Sequence, residues 1–166
     1  PKEEGEAKKV VARFKEILEN ENSQKIGQNI KYDYIVMKNY GVNIKGEFFD
    51  TMVAHYLLQP DGHHNMDYLA EVYLGHKTIS IETLIGAKGK NQRSMRDVPL
   101  QDICEYAAED ADITLRLKNV FETKLREEKL EKLFYEIEMP LVKVLADMEA
   151  EGVRIDTNTL AESSRI

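Results

Sequence analysis

Lys25-Ile26-Gly27-Gln28-Asn29-Ile30-Lys31-Tyr32-Asp33-Tyr34-Ile35-Val36-Met37-Lys38-Asn39-Tyr40-Gly41 is the stretch that decides the fold class. Lys25–Gln28 reads as a short strand. Asn29 stands where a helix cap is expected, and Gly41 where a helix ends. Between them Ile30, Asp33, Val36, Met37 and Tyr40 fall on one stripe at helical spacing. A second extended stretch follows over Val42–Phe49, with Gly46 inside it. Strand, helix, strand is the opening of an α/β layer.

Working outward, residues 6–19 form an amphipathic pattern through Val10, Val11, Phe14, Ile17 and Leu18, broken by Asn20–Asn22. Downstream, Asp50 caps a predicted helix over Thr51–Leu58, and Pro60-Asp61-Gly62 turns the chain. Asn65 caps another over Met66–Leu74, stopped by Gly75. Residues 78–99 are the least regular part and hold the basic loop Gly86–Gln92. A long helix is predicted from Leu100 to Leu125, and the charged run Arg126-Glu127-Glu128-Lys129 marks a seam. Lys132–Glu151 is another helix, ended by Gly152, with a kink or break expected at Pro140. Val153–Ile155 reads as extended, and Asp156 or Thr157 caps a last helix. The result is a helix-rich α/β chain. Two strands make a poor sheet on their own, so further strands are expected outside this stretch.

The 166 residues suffice for one domain with a short extension, and 42% hydrophobic residues exclude a disordered chain. No apolar run approaches the roughly 18 residues of a membrane span. Pro1-Lys2-Glu3-Glu4 has no initiator Met and no apolar signal segment, so the start reads as the middle of a longer chain. Cys104, the only cysteine, excludes an internal disulfide, fits a reducing cytoplasm, and reads as a half-buried structural thiol. A net charge of −7 argues against a broad phosphate-binding face, yet is compatible with carboxylates that hold divalent metals.

Two acids interrupt apolar stripes. On the long helix Ile103, Tyr106, Asp110, Ile113 and Leu117 share one face, with Asp110 in its middle. A carboxylate facing a core is costly unless paired or metal-bound. Asp33 interrupts the earlier stripe, where the dipole at a helix N-terminus also accounts for an acid. Tyr106 lies one turn before Asp110, either as a hydroxyl that holds a water there or as a core tyrosine. Glu105, Glu109 and Asp112 point to a solvated face. Lys88, Lys90, Arg93 and Arg96 offer either a grip on single-strand phosphates or a solvated loop. The loop lacks P-loop spacing, and His55, His63, His64 and His76 fit no zinc pattern.

Gly27-Gln28-Asn29-Ile30-Lys31-Tyr32-Asp33 resembles the second exonuclease motif of the bacterial DNA polymerase I family (family A). Tyr106-Ala107-Ala108-Glu109-Asp110-Ala111-Asp112 resembles the third, Y-x-x-x-D. Phe49-Asp50-Thr51-Met52, Met66-Asp67-Tyr68-Leu69-Ala70 and Gly89-Lys90-Asn91-Gln92 resemble the intervening stretches. Ile137-Glu138-Met139-Pro140-Leu141-Val142 and Gly152-Val153-Arg154-Ile155-Asp156 look like the start of that family's polymerase domain. This last similarity separates it from an RNase D-like nuclease, which the two exonuclease motifs alone would also admit.

The resemblance implies a ribonuclease H-like 3′–5′ exonuclease fold lacking its first strands, with residues 1–128 as a partial exonuclease domain and 129–166 as the start of a polymerase domain. It implies two divalent metal ions, Mg or Mn, with Asp33 and Asp110 as metal-site carboxylates and Tyr106 orienting the attacking water. Gln28, Asn29 and Tyr32 would lie near the 3′-terminal nucleotide, with Lys88, Lys90 and Arg93 on a single-stranded DNA 3′ end. The family's first motif, D-x-E, precedes the region where this chain begins, so two of four carboxylates are absent and residues 1–166 alone are expected to be nearly inactive. The expected role is proofreading in DNA replication and repair, in the cytoplasm. The rivals are a degenerate module that braces the polymerase and a stand-alone nuclease. Missing strands also predict an open edge at residues 25–28 and an uncovered Ile103, Ile113 and Leu117 stripe, hence self-association, as a dimer, unless helix 6–19 folds over the gap.

Overall fold

The computed structural model describes residues 4–164; Pro1, Lys2 and Glu3 of the start read above lie outside them. Helix α1 spans Glu4–Leu18, strand β1 Lys25–Gly27, helix α2 Ile30–Asn39 and strand β2 Phe48–Asp50. The two strands are parallel, with Lys25 opposite Phe48, Ile26 opposite Phe49 and Gly27 opposite Asp50. A helical crossover between neighbouring strands permits that direction. The second strand is shorter than the extended stretch predicted from Val42. Val42 and Ile44 are buried but make no ladder. The chain bends first at Gly46, with φ 87°, where a Cβ would stand 2.5 Å from the Ser23 carbonyl oxygen. Only glycine fits that turn against residues 20–23.

Helices α3 (Thr51–Leu58) and α4 (Met66–Leu74) follow, capped by Asp50 and Asn65 as predicted. Asn29 does not cap α2. It is left-handed, at φ 60°, and its side chain makes no cap bond. The cap comes from across the sheet: the Asp50 carboxylate accepts from Asn29 N at 3.1 Å and Ile30 N at 2.8 Å, besides Met52 N and Val53 N of α3. Helix α5 (Ile81–Ile85) and a 3-10 turn at Met95–Asp97 lead into the long helix α6, Leu100–Glu127. Cys104 is exposed on α6 rather than half-buried, since among the described residues its side of the first turns faces solvent. Among the described residues no helix is long and apolar enough to cross a membrane.

After Glu127 the chain reverses through Lys129, at φ 58°. Helix α7 (Glu131–Leu133), a π-helical turn (Phe134–Glu138) and helix α8 (Met139–Glu151) then form one rod, followed by α9 (Thr157–Ser163). The irregularity expected at Pro140 is this π turn, in which Met139 N donates to the Phe134 carbonyl. Placing the wide turn just ahead of a residue without an N–H spares an ordinary helical bond.

One core joins these parts. Phe49, Leu69, Ile113, Leu117, Phe121, Phe134 and Ala146 are all 0% exposed and belong to one cluster. The expectation that Ile113 and Leu117 stand uncovered is therefore wrong. Helices α3 and α4 pack against α6 and bury both residues. The apolar face of α1 is open, with Val10, Phe14 and Ile17 about half exposed. Near its C-terminal end that helix is tied to the following segment, where Lys45 N donates to the Leu18 carbonyl and Lys15 Nζ to the Gly41 carbonyl. Beyond the charged run, the rod packs back on α2 and β2. Phe134 meets Phe49 at 4.8 Å between ring centroids, and Lys38–Asp147 and Lys31–Glu149 pair across α2 and α8.

His55, on α3, is fully buried, with Nδ1 2.7 Å from His64 Nδ1 and Nε2 3.1 Å from the Tyr73 hydroxyl. Burial, and then the neighbouring His64, hold its proton affinity below the usual 6.5. The unfolded chain binds that proton more readily, so the stabilisation is complete above pH 6.5 and is lost as pH falls below it. Urea midpoints measured from pH 7.5 to 5 are expected to fall on the acid side of 6.5. His55→Gln is expected to flatten that fall, and an unchanged slope in the variant would remove His55 as its source.

Candidate active site

Helix α6 passes β1, and the first turn of α2 leaves the C-terminal end of β1. This brings Asp110 and Asp33, far apart in sequence, to the walls of one cleft of about 500 Å³, lined also by Ile26, Gly27, Gln28, Met66, Ala111, Thr114 and Leu115. The apolar lining follows from the helix phases. The Asp110 stripe faces the core further along, at Ile113 and Leu117, and reaches the cleft where α6 meets β1.

The cleft raises the proton affinity of both acids. Burial is the first cause at Asp33, with the Asp50 charge adding to it and a backbone amide opposing it. Asp33 keeps an open face to solvent even so. Burial is also the first cause at Asp110, where Glu109 and Asp67 add like charge. The opposing contribution there comes from the neighbouring Tyr106 hydroxyl, which favours the charged form of Asp110. Burial and the Asp110 charge push the Tyr106 phenol up to about 12, so it remains a donor at neutral pH. Crowded carboxylates with raised proton affinity are what a bound cation would relieve.

The remaining residues singled out in the sequence divide into two groups. Gln28 lines the cleft, but its Nε2 donates to the His64 carbonyl at 2.7 Å and its Oε1 accepts from the Thr51 hydroxyl. The neighbouring Asn29 side chain is not used for capping. Tyr32 is 66% exposed on α2. Lys88 and Lys90 are exposed on the loop after α5, outside the cleft lining. Arg93, also outside it, folds over its own loop and donates through Nη2 to the Leu84 carbonyl at 2.8 Å.

Two acids carry more than their sequence pattern showed. Glu109 was read as solvated, yet its carboxylate accepts from Ile79 N at 2.6 Å and pairs with His76 Nε2 at 2.8 Å. The Ile79 amide, and then His76, hold it below the usual carboxylate range. It thereby clasps the segment after α4 to α6 beside Asp110. Asp67 accepts from the Thr78 hydroxyl at 2.8 Å and its charge reaches both Asp110 and Tyr106. Helical phase could not reveal either, since both partners come from another element. Among the described residues no group of three or more His, Cys, Asp or Glu is arranged to hold a metal ion. Asp33 and Asp110 supply two hard oxygen donors of the kind that Mg²⁺ and Mn²⁺ prefer.

Residues 3–126 match a protein-family model described as 3′–5′ exonuclease. Among curated proteins, the chain is 42% identical over 151 residues to the DNA polymerase I of Borreliella burgdorferi, covering 91% of this chain and 16% of that one. It is 40% identical over 153 residues to the DNA polymerase I of Rhizobium leguminosarum, covering 92% and 15%. A third relative, the DNA polymerase I of Pseudomonas aeruginosa, is 40% identical over 160 residues, covering 94% and 17%. The chain therefore spans about a sixth of the length of these relatives.

Proposed function

The chain belongs to the 3′–5′ exonuclease family of DNA polymerase A, and on that premise we propose that its cleft is a proofreading site that removes 3′-terminal nucleotides from DNA. The observation that carries this reading is the meeting of Asp33 and Asp110 in one cleft, with the charge of Asp110 acting on the Tyr106 phenol one turn away.

Asp33 and Asp110 would hold the metal ions. Divalent ions supply activation of the attacking water and stabilisation of the leaving 3′ oxygen. Tyr106 keeps its proton at neutral pH and would orient a water beside Asp110. Asn29 and Tyr32 would lie near the terminal nucleotide, and the exposed Tyr32 ring would offer a stacking surface for its base. Gln28 is held by Thr51 and His64 and so forms a fixed wall against that nucleotide. Lys88, Lys90 and Arg93 would meet the phosphates of the single strand outside the cleft.

The family resemblance calls for two further carboxylates on a D-x-E strand, so residues 1–166 alone are expected to turn over slowly. Residues 1–128 would form the exonuclease unit and 129–166 begin a polymerase domain. The end of the family match at residue 126 supports that division. The setting would be DNA replication and repair in the cytoplasm.

The test is a 5′-labelled single-stranded oligonucleotide incubated with the full polymerase-length protein. Stepwise shortening from the 3′ end with Mg²⁺ or Mn²⁺, and none with EDTA, is the expected result. Shortening that ignores the chelator, or none at all, would overturn the reading.

A further inference from the structure

Asp50 is 1% exposed, sits at the end of β2, and its carboxylate accepts four backbone N–H bonds. Capping α3 needs only one side-chain oxygen, which serine or threonine would supply. A fully buried carboxylate has a desolvation cost that such a cap does not require. The difference lies on the other side of the group. Oδ2 accepts from Ile30 N at 2.8 Å, and Oδ1 is shared among Asn29 N, Met52 N and Val53 N. The carboxylate therefore ties the N-terminus of α2 to that of α3.

The segment it holds is the β1–α2 turn. Gly27 stands opposite Asp50 in the sheet, and the next residue, Thr51, donates to the Gly27 carbonyl at 3.2 Å and to Gln28 Oε1. The turn is tight, since a Cβ on Gly27 would stand 2.9 Å from Ile30 Cβ. Asn29 enters it left-handed with no cap of its own. Ile30 and Asp33 lie three residues apart on one face of α2, so the placing of the Ile30 amide sets the placing of Asp33. We propose that Asp50 is a positioning residue for the cleft, its buried carboxylate anchoring the β1–α2 turn and thereby fixing where Asp33 stands. This rests on the proofreading reading above.

Two variants separate anchoring from mere stability. Asp50→Ser retains an oxygen that caps α3 but cannot reach α2. Asp50→Asn retains Oδ1 and sets an amide group against the Ile30 N–H. Three readouts apply to each variant while circular dichroism shows it folded: amide hydrogen exchange, Mn²⁺-induced broadening of the Asp33 amide signal, and kcat and KM on a single-stranded oligonucleotide. Exchange at Ile30 is expected to rise at least about 10-fold while Met52 and Val53 stay protected. The Asp33 signal is expected to need more Mn²⁺ to broaden, and kcat to fall roughly 10- to 100-fold with KM little changed. Wild-type Mn²⁺ response and kcat in both folded variants would overturn the proposal, as would unchanged exchange at Ile30. Failure of the proofreading reading would show separately, in the wild-type protein, as no 3′ removal and no Mn²⁺ effect at Asp33.

Discussion

Asp110→Ala is expected to lower the proposed 3′-terminal nucleotide removal by on the order of 10³-fold or more, because it deletes one of the two carboxylates the cleft would offer to a divalent ion. If the proposed polymerase domain follows, nucleotide addition by the longer protein is expected to be unchanged, since the cleft is built within the unit matched to the exonuclease family. Tyr106→Phe is the graded comparison. It keeps the ring and both acids and loses one hydroxyl, so a fall of roughly 10-fold is expected. It also removes the hydroxyl that opposes burial at Asp110, so the Asp110 carboxyl should titrate at higher pH than in the wild type. Both effects are read from digestion of a labelled oligonucleotide, the second from its pH profile. Equal exonuclease rates in Asp110→Ala and wild type would make Asp110 a structural acid.

Phe134→Ala is expected to destabilise the fold by about 3–5 kcal/mol. Phe134 is 0% exposed and packs on Phe49 at 4.8 Å and on Tyr135 at 5.0 Å. Phe49 lies on β2 beside the cleft strand, so the loss is felt at the centre of the sheet. Equilibrium urea unfolding should show one transition moved to lower midpoint. A separate early transition, with the main one unmoved, would show that the rod beyond Lys129 is an independent unit.

Features that depend on neighbours in sequence were legible before the structure. Asp50 and Asn65 as caps, and Gly75 and Gly152 as stops, depend on the chain within four residues. So does the apolar phase that singled out Asp33 and Asp110. What the sequence could not show was which elements meet. Asn29 was the nearest polar residue to α2, yet the cap came from Asp50 across a parallel pairing. Glu109 pointed away from its own helix's apolar face and met a segment returning from α4. Val42 and Ile44 looked like strand residues because burial and ladder pairing favour the same side chains. The sequence pattern points to a bare Ile113 and Leu117, whereas α3 and α4 pack on α6 and both residues are buried.

The π turn at Phe134–Glu138 acts as a residue counter. A wide turn accommodates one residue more than an α-helical path would, and each residue rotates a helix by about 100°. Phe134 at the start of the turn and Met139, Val142 and Ala146 after it all reach the same core with that extra rotation in place. Deleting a single residue from the turn would let the rod relax to a regular helix and swing the whole of α8 by roughly a quarter turn. Met139, Val142 and Ala146 would leave the core together, and the Lys31 and Lys38 pairs with Glu149 and Asp147 would part. The segment therefore tolerates changes of side chain far better than changes of length.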